Sequence, residues 1–229
     1  MSRGAFITFE GSEGCGKSTQ VLRLAARLEQ AGARVLITRE PGGTAIGEKI
    51  RDLLQFAPES FAMTPETELL LFEASRSQLV RETIRPALEQ GTAVISDRFF
   101  DSTTVYQGVA RKLDPEIVAT LNNFAVGPDR PDLTIVLDVD VATARARMLR
   151  RVRPVGVIDR MEQEPIEFYE RVCEAYRELA RNEPDRFLLI DGAQSPDEIE
   201  NQIWNSLTSR LPAFAIVKQS KIEIRNSKM

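Results

Sequence analysis

Residues Gly11-Ser-Glu-Gly-Cys-Gly-Lys-Ser18 fill every fixed position of the pattern G-x-x-x-x-G-K-[S/T]. Such a loop works only between a buried strand and the first turn of a helix. Its glycines turn backbone N–H groups toward one centre, and the helix adds its positive end. The flanks meet that demand. Ala5–Phe9 is a short apolar run that stops at Glu10-Gly11, which predicts a buried strand. Ser18–Gln30 repeats apolar residues at Val21, Leu24, Ala25 and Leu28, which predicts a helix ended by Ala31-Gly32. The loop thus predicts phosphate binding, with Gly11, Ser12, Glu13, Gly14, Cys15, Gly16, Lys17, Ser18 and Thr19 as candidate contacts. Lys17 suits the β- and γ-phosphates of ATP, and the Ser18 hydroxyl suits Mg²⁺. ATPases, GTPases, helicases and small-molecule kinases all use such a loop, so it does not choose the acceptor. Glu13 is a carboxylate beside polyphosphate. It suits placement of Mg²⁺ or of an acceptor, or else a solvated position.

The remaining chain alternates short apolar runs with helical patterns. Strands are predicted at Arg34–Thr38, Thr92–Ser96, Leu133–Leu137 and Arg186–Ile190. Helical spacing covers Ile46–Phe56, Pro65–Gln90 (bent near Pro86), Asp114–Phe124, Val141–Arg151, Pro165–Arg181 and Pro196–Arg210, the last with Ser195 as its N-cap. Asp97–Gly108 reads as a polar loop. The strands are continuous Val/Ile/Leu/Phe runs, which want cover on both faces and predict a parallel sheet between helix layers. With 229 residues, 42% hydrophobic and 28% charged, the chain fits a soluble α/β protein. Residues 1–211 form the expected domain. Residues 212–229 leave the pattern and read as a peripheral strand, a frayed tail or a partner- or phosphate-contacting tail.

Charge and composition narrow the chemistry. A net charge of -4 argues against a generic nucleic-acid binder. Histidine is absent, which removes His triads, His zinc sites and His general bases. Cys15 and Cys173 read as free thiols in a reducing compartment. The first residues enter the glycine loop rather than a cleavage site, and no apolar run nears bilayer length, so the expected location is the cytoplasm. Arginine outnumbers lysine 24 to 6, and guanidinium forks suit phosphate.

Arg39 and Arg98 each follow a predicted strand. In a doubly wound sheet those ends crowd the same crevice as the glycine loop, where two arginines can clamp a second phosphate. Asp97 suits Mg²⁺ or its water there, or the orientation of Arg98 or the acceptor, or a structural cap. Phe72 and Arg76 share one helix face, which fits a flat base, stacked and hydrogen-bonded, or an ordinary salt bridge over a core ring. Ser102, Thr103, Tyr106 and Gln107 suit sugar and base edges, or a polar turn. Arg145, Arg147, Arg150, Arg151 and Arg153 fall within nine residues. They suit a lid over ATP phosphates, spanning about 145–162, or a solvated basic face, or a nucleic-acid patch.

Taken in order, these motifs resemble bacterial-type thymidylate kinases, over residues 5–210. The elements are Phe9-Glu10-Gly11 through Thr19, Thr38 to Gly43, Leu71 to Gln78, Asp97-Arg98-Phe99, Ser102 to Gly108, and Asp159-Arg160-Met161-Glu162 with Phe168-Tyr169. The resemblance implies a three-layer P-loop kinase fold whose five parallel strands run in the order 2-3-1-4-5. It implies transfer of the ATP γ-phosphoryl to dTMP with Mg²⁺, and a homodimer. In that family's pattern Phe72 stacks on thymine and Arg76 bonds its edge. Arg98 and Arg39 hold the acceptor phosphate. Thr103 and Gln107 stand near the base, Tyr106 near the sugar, and Glu13 near the sugar's 3′-hydroxyl. Arg151 and Arg153 are the lid arginines, although Pro154-Val155 departs from the usual basic residue before the glycine. Two rivals remain at this point: a deoxynucleoside kinase, and a P-loop switch or motor. Paired Arg39 and Arg98 favour an acceptor that already carries phosphate, and no NKxD guanine-reading stretch is present.

Overall fold

The computed structural model describes residues 3–57, 60, 62–150 and 160–211. Its strands are β1 (Phe6–Glu10), β2 (Val35–Arg39), β3 (Ala93–Asp97), β4 (Leu133–Asp138) and β5 (Phe187–Asp191). They form one parallel sheet in the order β2-β3-β1-β4-β5, the topology of a P-loop kinase. Each lies within one residue of its sequence-predicted ends.

Alternation along β1 sorts the core. Ile7 and Phe9 face one layer, with Leu24 and Leu28 of α1 (Lys17–Gln30) and Ile199, Trp204 and Leu207 of α9 (Pro196–Arg210). Phe6 faces the other layer, with Leu79 of α3 (Pro65–Leu79) and with Phe99. On that side Tyr106 also packs with Phe168, Val172 and Tyr176 of α8 (Ile166–Asn182). Each such apolar side chain contributes about 1.5–3 kcal/mol on burial. By the same alternation Thr8 and Glu10 point to the second layer, which starts the candidate site. Helix α2 (Ala45–Gln55) lies against α3, and α7 (Val141–Leu149) follows β4. Ser195 caps α9 as expected: its hydroxyl accepts from Glu198 N–H, and Glu198 accepts in return from Ser195 N–H. Among the described residues no helix is long and apolar enough to cross a membrane.

Two stretches differ from expectation. The long helix is divided: α3 passes through a π-helical turn at Val80–Ile84 into α4 (Arg85–Glu89). Pro86 has no N–H to give, and its ring crowds the carbonyl four residues back, which accounts for the widened turn. The second difference is larger. Asp97–Gly108 is mostly helix, not a loop: α5 (Phe100–Thr103) continues as a π-helical segment, Thr104–Ala110. Phe100 and Val105 are buried in the core, while Ser102, Thr103 and Gln107 turn their polar groups inward onto buried partners. Inward polar groups imitate a solvated loop in sequence. After these, α6 (Pro115–Val126) completes the helices of this layer.

Candidate active site

The glycine loop closes over the C-terminal end of β1. Gly14 has φ +78°, and a Cβ there would lie 2.4 Å from the Ala144 carbonyl oxygen of α7. Gly11 has φ +127°, and a Cβ there would lie 2.5 Å from the Leu137 carbonyl oxygen. Only glycine fits either place. Lys17 is buried, and its Nζ donates to the carbonyl oxygens of Gly11 (3.0 Å) and Ser12 (2.8 Å). The ammonium is thus held inside the ring of the loop. Ser18 and Thr19 are exposed at the start of α1, and Ser18 Oγ donates to Asp97 Oδ2 at 2.7 Å. A hydroxyl and a carboxylate meeting at a phosphate loop form a fitting protein share for Mg²⁺, whose other ligands are nucleotide oxygens and water.

A second cluster surrounds Arg98, the residue after β3. Its φ is +72°, in the left-handed region, where a side chain other than Gly, Asn or Asp is uncommon. Three bonds hold the turn. Arg98 N–H donates to Phe9 O, Ser96 Oγ donates to Arg98 O, and Phe99 N–H donates to Glu10 Oε1 at 2.8 Å. The guanidinium reaches Glu13 Oε2 (2.7 Å), the Tyr106 hydroxyl (3.2 Å) and Ser102 Oγ (3.0 Å). Tyr106 in turn donates to Glu13 at 2.9 Å. Glu13 therefore ties the phosphate loop to Arg98 and Tyr106, while Ser18 and Asp97 bond to each other. Burial pushes the Glu13 carboxyl up, but Arg98, Lys17 and the Tyr106 hydroxyl outweigh it and hold it below the ordinary carboxylate range. Glu10, fully buried beneath, accepts from Ser102 and from the Tyr176 hydroxyl, and burial pushes its carboxyl up. Arg39 ends the neighbouring strand, in register with Asp97, and is half-exposed with Nη2 on Glu48 at 2.7 Å.

Beside these anion sites lies Arg76. It is 1% exposed, and each of its N–H directions has an acceptor. Nε and Nη2 lie 2.8 and 2.7 Å from Glu40 Oε2. Nη1 donates to Glu73 Oε1 (2.6 Å) and Asn122 Oδ1 (3.1 Å), and Nη2 also donates to Thr103 Oγ1 (3.0 Å). Two carboxylates against one guanidinium leave a formal excess of one negative charge. Burial, opposed by Arg76 and helped by Glu73 and Glu10, pushes Glu40 up to about 7. Burial works against the Arg76 charge, but Glu40 and Glu73 outweigh it and raise its pKa. Phe72, one turn earlier on α3, is half-buried. Gln107 is buried and donates from Nε2 to Glu68 Oε1 at 2.7 Å.

Of the arginine-rich segment, Arg147 donates to Gly192 O at 2.9 Å, beside the phosphate loop, and Arg145 lines a small cavity with Ser12, Glu13 and Tyr169. Arg151, Arg153, Pro154 and Asp159 lie outside the described residues, as does the tail 212–229.

Residues 9–203 match the family model described as thymidylate kinase. The chain belongs to the thymidylate kinase family. A thymidylate kinase from Geobacter sulfurreducens is 49% identical over 211 residues, covering 91% of this chain and 99% of that one. One from Deinococcus radiodurans is 44% identical over 210 residues, covering 92% and 99%. The crystal structure of a thymidylate kinase from Ehrlichia chaffeensis superposes with a TM-score of 0.73 at 32% identity, covering 90% of this chain and 99% of that one. Membership of the thymidylate kinase family sets aside the switch, motor and deoxynucleoside kinase alternatives.

For a thymidylate kinase, sequence reasoning overlooked several residues that shape the site. Glu10, Tyr176, Glu40, Glu73, Asn122 and Glu68 each hold a residue that the motifs had picked out. Tyr176 lies 166 residues from the Glu10 it bonds, and no spacing rule reaches that far. Glu10 carried a usable signal: a carboxylate at the end of a buried strand needs partners.

Proposed function

We propose that the crevice between the phosphate loop and α3 is where this kinase passes the γ-phosphoryl group of ATP to dTMP, giving dTDP and ADP. The observation that carries this reading is the Glu13–Arg98–Tyr106 contact. It joins the donor's loop to the side chain best placed for an acceptor phosphate.

ATP lies with its phosphates in the loop of Gly11 to Thr19. Lys17 leaves the loop carbonyls for the β- and γ-phosphates, exchanging two neutral acceptors for charged ones. Ser18 and Asp97, which meet at 2.7 Å, would hold Mg²⁺, with Glu13 in the same loop. When bound, that ion neutralises charge on the β- and γ-oxygens. Arg98, with Arg39 and Ser102, holds the dTMP phosphate. Tyr106 stands beside the deoxyribose and Glu13 near its 3′-hydroxyl. Phe72 stacks on the base, and Arg76, Thr103 and Gln107 meet its edge. All Arg76 donors already have acceptors, so a base carbonyl takes the place of one of the two neutral ones, Thr103 Oγ1 or Asn122 Oδ1.

An oxygen of the dTMP phosphate then attacks the γ-phosphorus as the bond to the bridging β–γ oxygen breaks, and ADP leaves. The attacking oxygen is already anionic, so no strong general base is needed, which suits a chain without histidine. Catalysis comes from position and charge, supplied by Lys17, Arg98 and, from the lid, Arg151 and Arg153. We place the working domain at residues 1–211, the assembly as a homodimer, and the site of action in the cytoplasm.

The test separates phosphate from nucleoside. Arg98→Ala should weaken dTMP binding by about 100-fold while changing thymidine binding less than about twofold, by calorimetry. Equal losses for both ligands would remove Arg98 from the phosphate.

A further inference from the structure

Glu68 stands on the same face of α3 as Phe72 and Arg76, at positions i, i+4 and i+8. It is 1% exposed and is surrounded by donors. Arg111 gives Nε to Oε1 (3.2 Å) and Nη2 to Oε2 (3.1 Å), and Arg160 adds Nη2 to Oε2. Gln107 Nε2 completes the set. Burial alone would push the Glu68 carboxyl up. Arg111, Gln107 and Arg160 outweigh it and hold it below the ordinary range, so it stays ionised at neutral pH.

An ionised carboxylate only accepts hydrogen bonds. Gln107 must therefore turn its NH₂ to Glu68, because the flipped amide would press two acceptor oxygens together at 2.7 Å. The amide carbonyl is then directed away from Glu68. Among the described residues no N–H or O–H donates to Gln107 Oε1. Arg76, two turns along α3 from Glu68, offers only N–H groups. The pair reads as one donor and one acceptor. The 4-keto, N3–H edge of thymine or uracil offers the matching acceptor and donor. Cytosine reverses both, with a 4-amino donor and an N3 lone pair.

We infer that Glu68 is a positioning residue that fixes the amide orientation of Gln107, so that the site accepts a 4-keto pyrimidine and rejects a 4-amino one. The inference rests on the reading above that the base lies against Arg76 and Gln107.

Four proteins test it: wild type, Glu68→Gln, Gln107→Leu and the double variant, each assayed for kcat/KM with dTMP and with dCMP. In Glu68→Gln the new side-chain amide can donate or accept, so it no longer dictates the orientation of Gln107. Glu68→Gln should lower the dTMP/dCMP ratio about tenfold or more, mainly through KM for dTMP, with KM for ATP unchanged. Gln107→Leu should lower the ratio at least as far, and the double variant should match Gln107→Leu alone. A ratio kept in Glu68→Gln but lost in Gln107→Leu overturns the role of Glu68 and leaves the base contact standing. A ratio kept in Gln107→Leu overturns the contact and the inference together. Additive losses in the double variant show that Glu68 does not act through Gln107.

Removing the carboxylate leaves Arg111 and Arg160 short of charge, so Glu68→Gln can fail to fold. The wild-type protein then supplies the answer by NMR. The Gln107 side-chain amide, assigned by its loss in Gln107→Leu, should show slow solvent exchange before thymidine is added. Thymidine should shift its carbonyl carbon and leave the NH₂ protection unchanged. Fast exchange, or NH₂ protection gained only with thymidine, overturns the inference.

Discussion

Replacing Glu40 by glutamine removes one buried negative charge while keeping the side chain's shape. The amide carbonyl can take the place of Oε2 and accept from Arg76 Nε and Nη2. In the native protein Glu40, Glu73 and Arg76 share a pocket in which Glu40 Oε1 and Glu73 Oε2 have no hydrogen-bond partner among the described residues. The Glu40 carboxyl is raised from its ordinary 4.5 to about 7. The folded state therefore holds the Glu40 proton more tightly than the unfolded chain does. The associated stability is full below about pH 4.5 and is lost as pH rises through about 7. At 1.36 kcal/mol per pH unit the loss is on the order of 3 kcal/mol. The substituted amide cannot titrate, so the Glu40→Gln protein escapes this loss. Guanidinium unfolding can be followed by the single tryptophan, Trp204, which is buried in α9 under Arg27. Other groups titrate in the same window, so the quantity to read is the difference between the two proteins. From about pH 5 to about pH 8, Glu40→Gln should gain about 2–3 kcal/mol over wild type. A difference that stays flat to within about 1 kcal/mol would refute the charge count in this pocket.

Two further variants separate the donor site from the acceptor site. Lys17→Met should lower kcat by about 100–1,000-fold while dTMP affinity, measured by calorimetry, stays within about twofold. Comparable losses in both would place Lys17 in the acceptor site instead. Gly14→Ala places a Cβ 2.4 Å from Ala144 O in a left-handed backbone. It should raise KM for ATP about tenfold and lower stability by about 1–3 kcal/mol, and unchanged ATP binding with an unchanged Tm would contradict the close approach.

The sheet was legible in the sequence through its inner strands β1, β3 and β4, which are covered on both faces. Their short, mostly apolar runs, such as Phe6–Phe9 and Ile135–Leu137, read as buried strands by their length and β-branched or aromatic content. The phosphate loop was legible because the φ values at Gly11 and Gly16 demand glycine at fixed places. Arginine at the ends of β2 and β3 was legible for a related reason: parallel strands bring their C-terminal ends to one crevice. What stayed hidden was the inward polarity of Ser102, Thr103 and Gln107. Their partners Glu10, Arg76 and Glu68 lie on other elements, and local pattern cannot separate a hydroxyl facing a buried carboxylate from one facing water. Glu40 was hidden similarly, since Pro41-Gly42-Gly43 made its surroundings look like an exposed turn. Glu13 was half legible: a carboxylate beside polyphosphate stood out in the sequence, but its partners Tyr106 and Arg98 lie on other elements.

The claim on which the account turns is that two phosphates meet in one crevice whose far wall reads a thymine. Single-turnover transfer of labelled γ-phosphoryl from ATP to dTMP, dCMP, UMP and AMP tests it directly. The account predicts fast labelling of dTMP, at least about 100-fold slower labelling of dCMP and AMP, and little ATP hydrolysis without an acceptor. Similar rates for all four, or hydrolysis that outpaces transfer to dTMP, would contradict it.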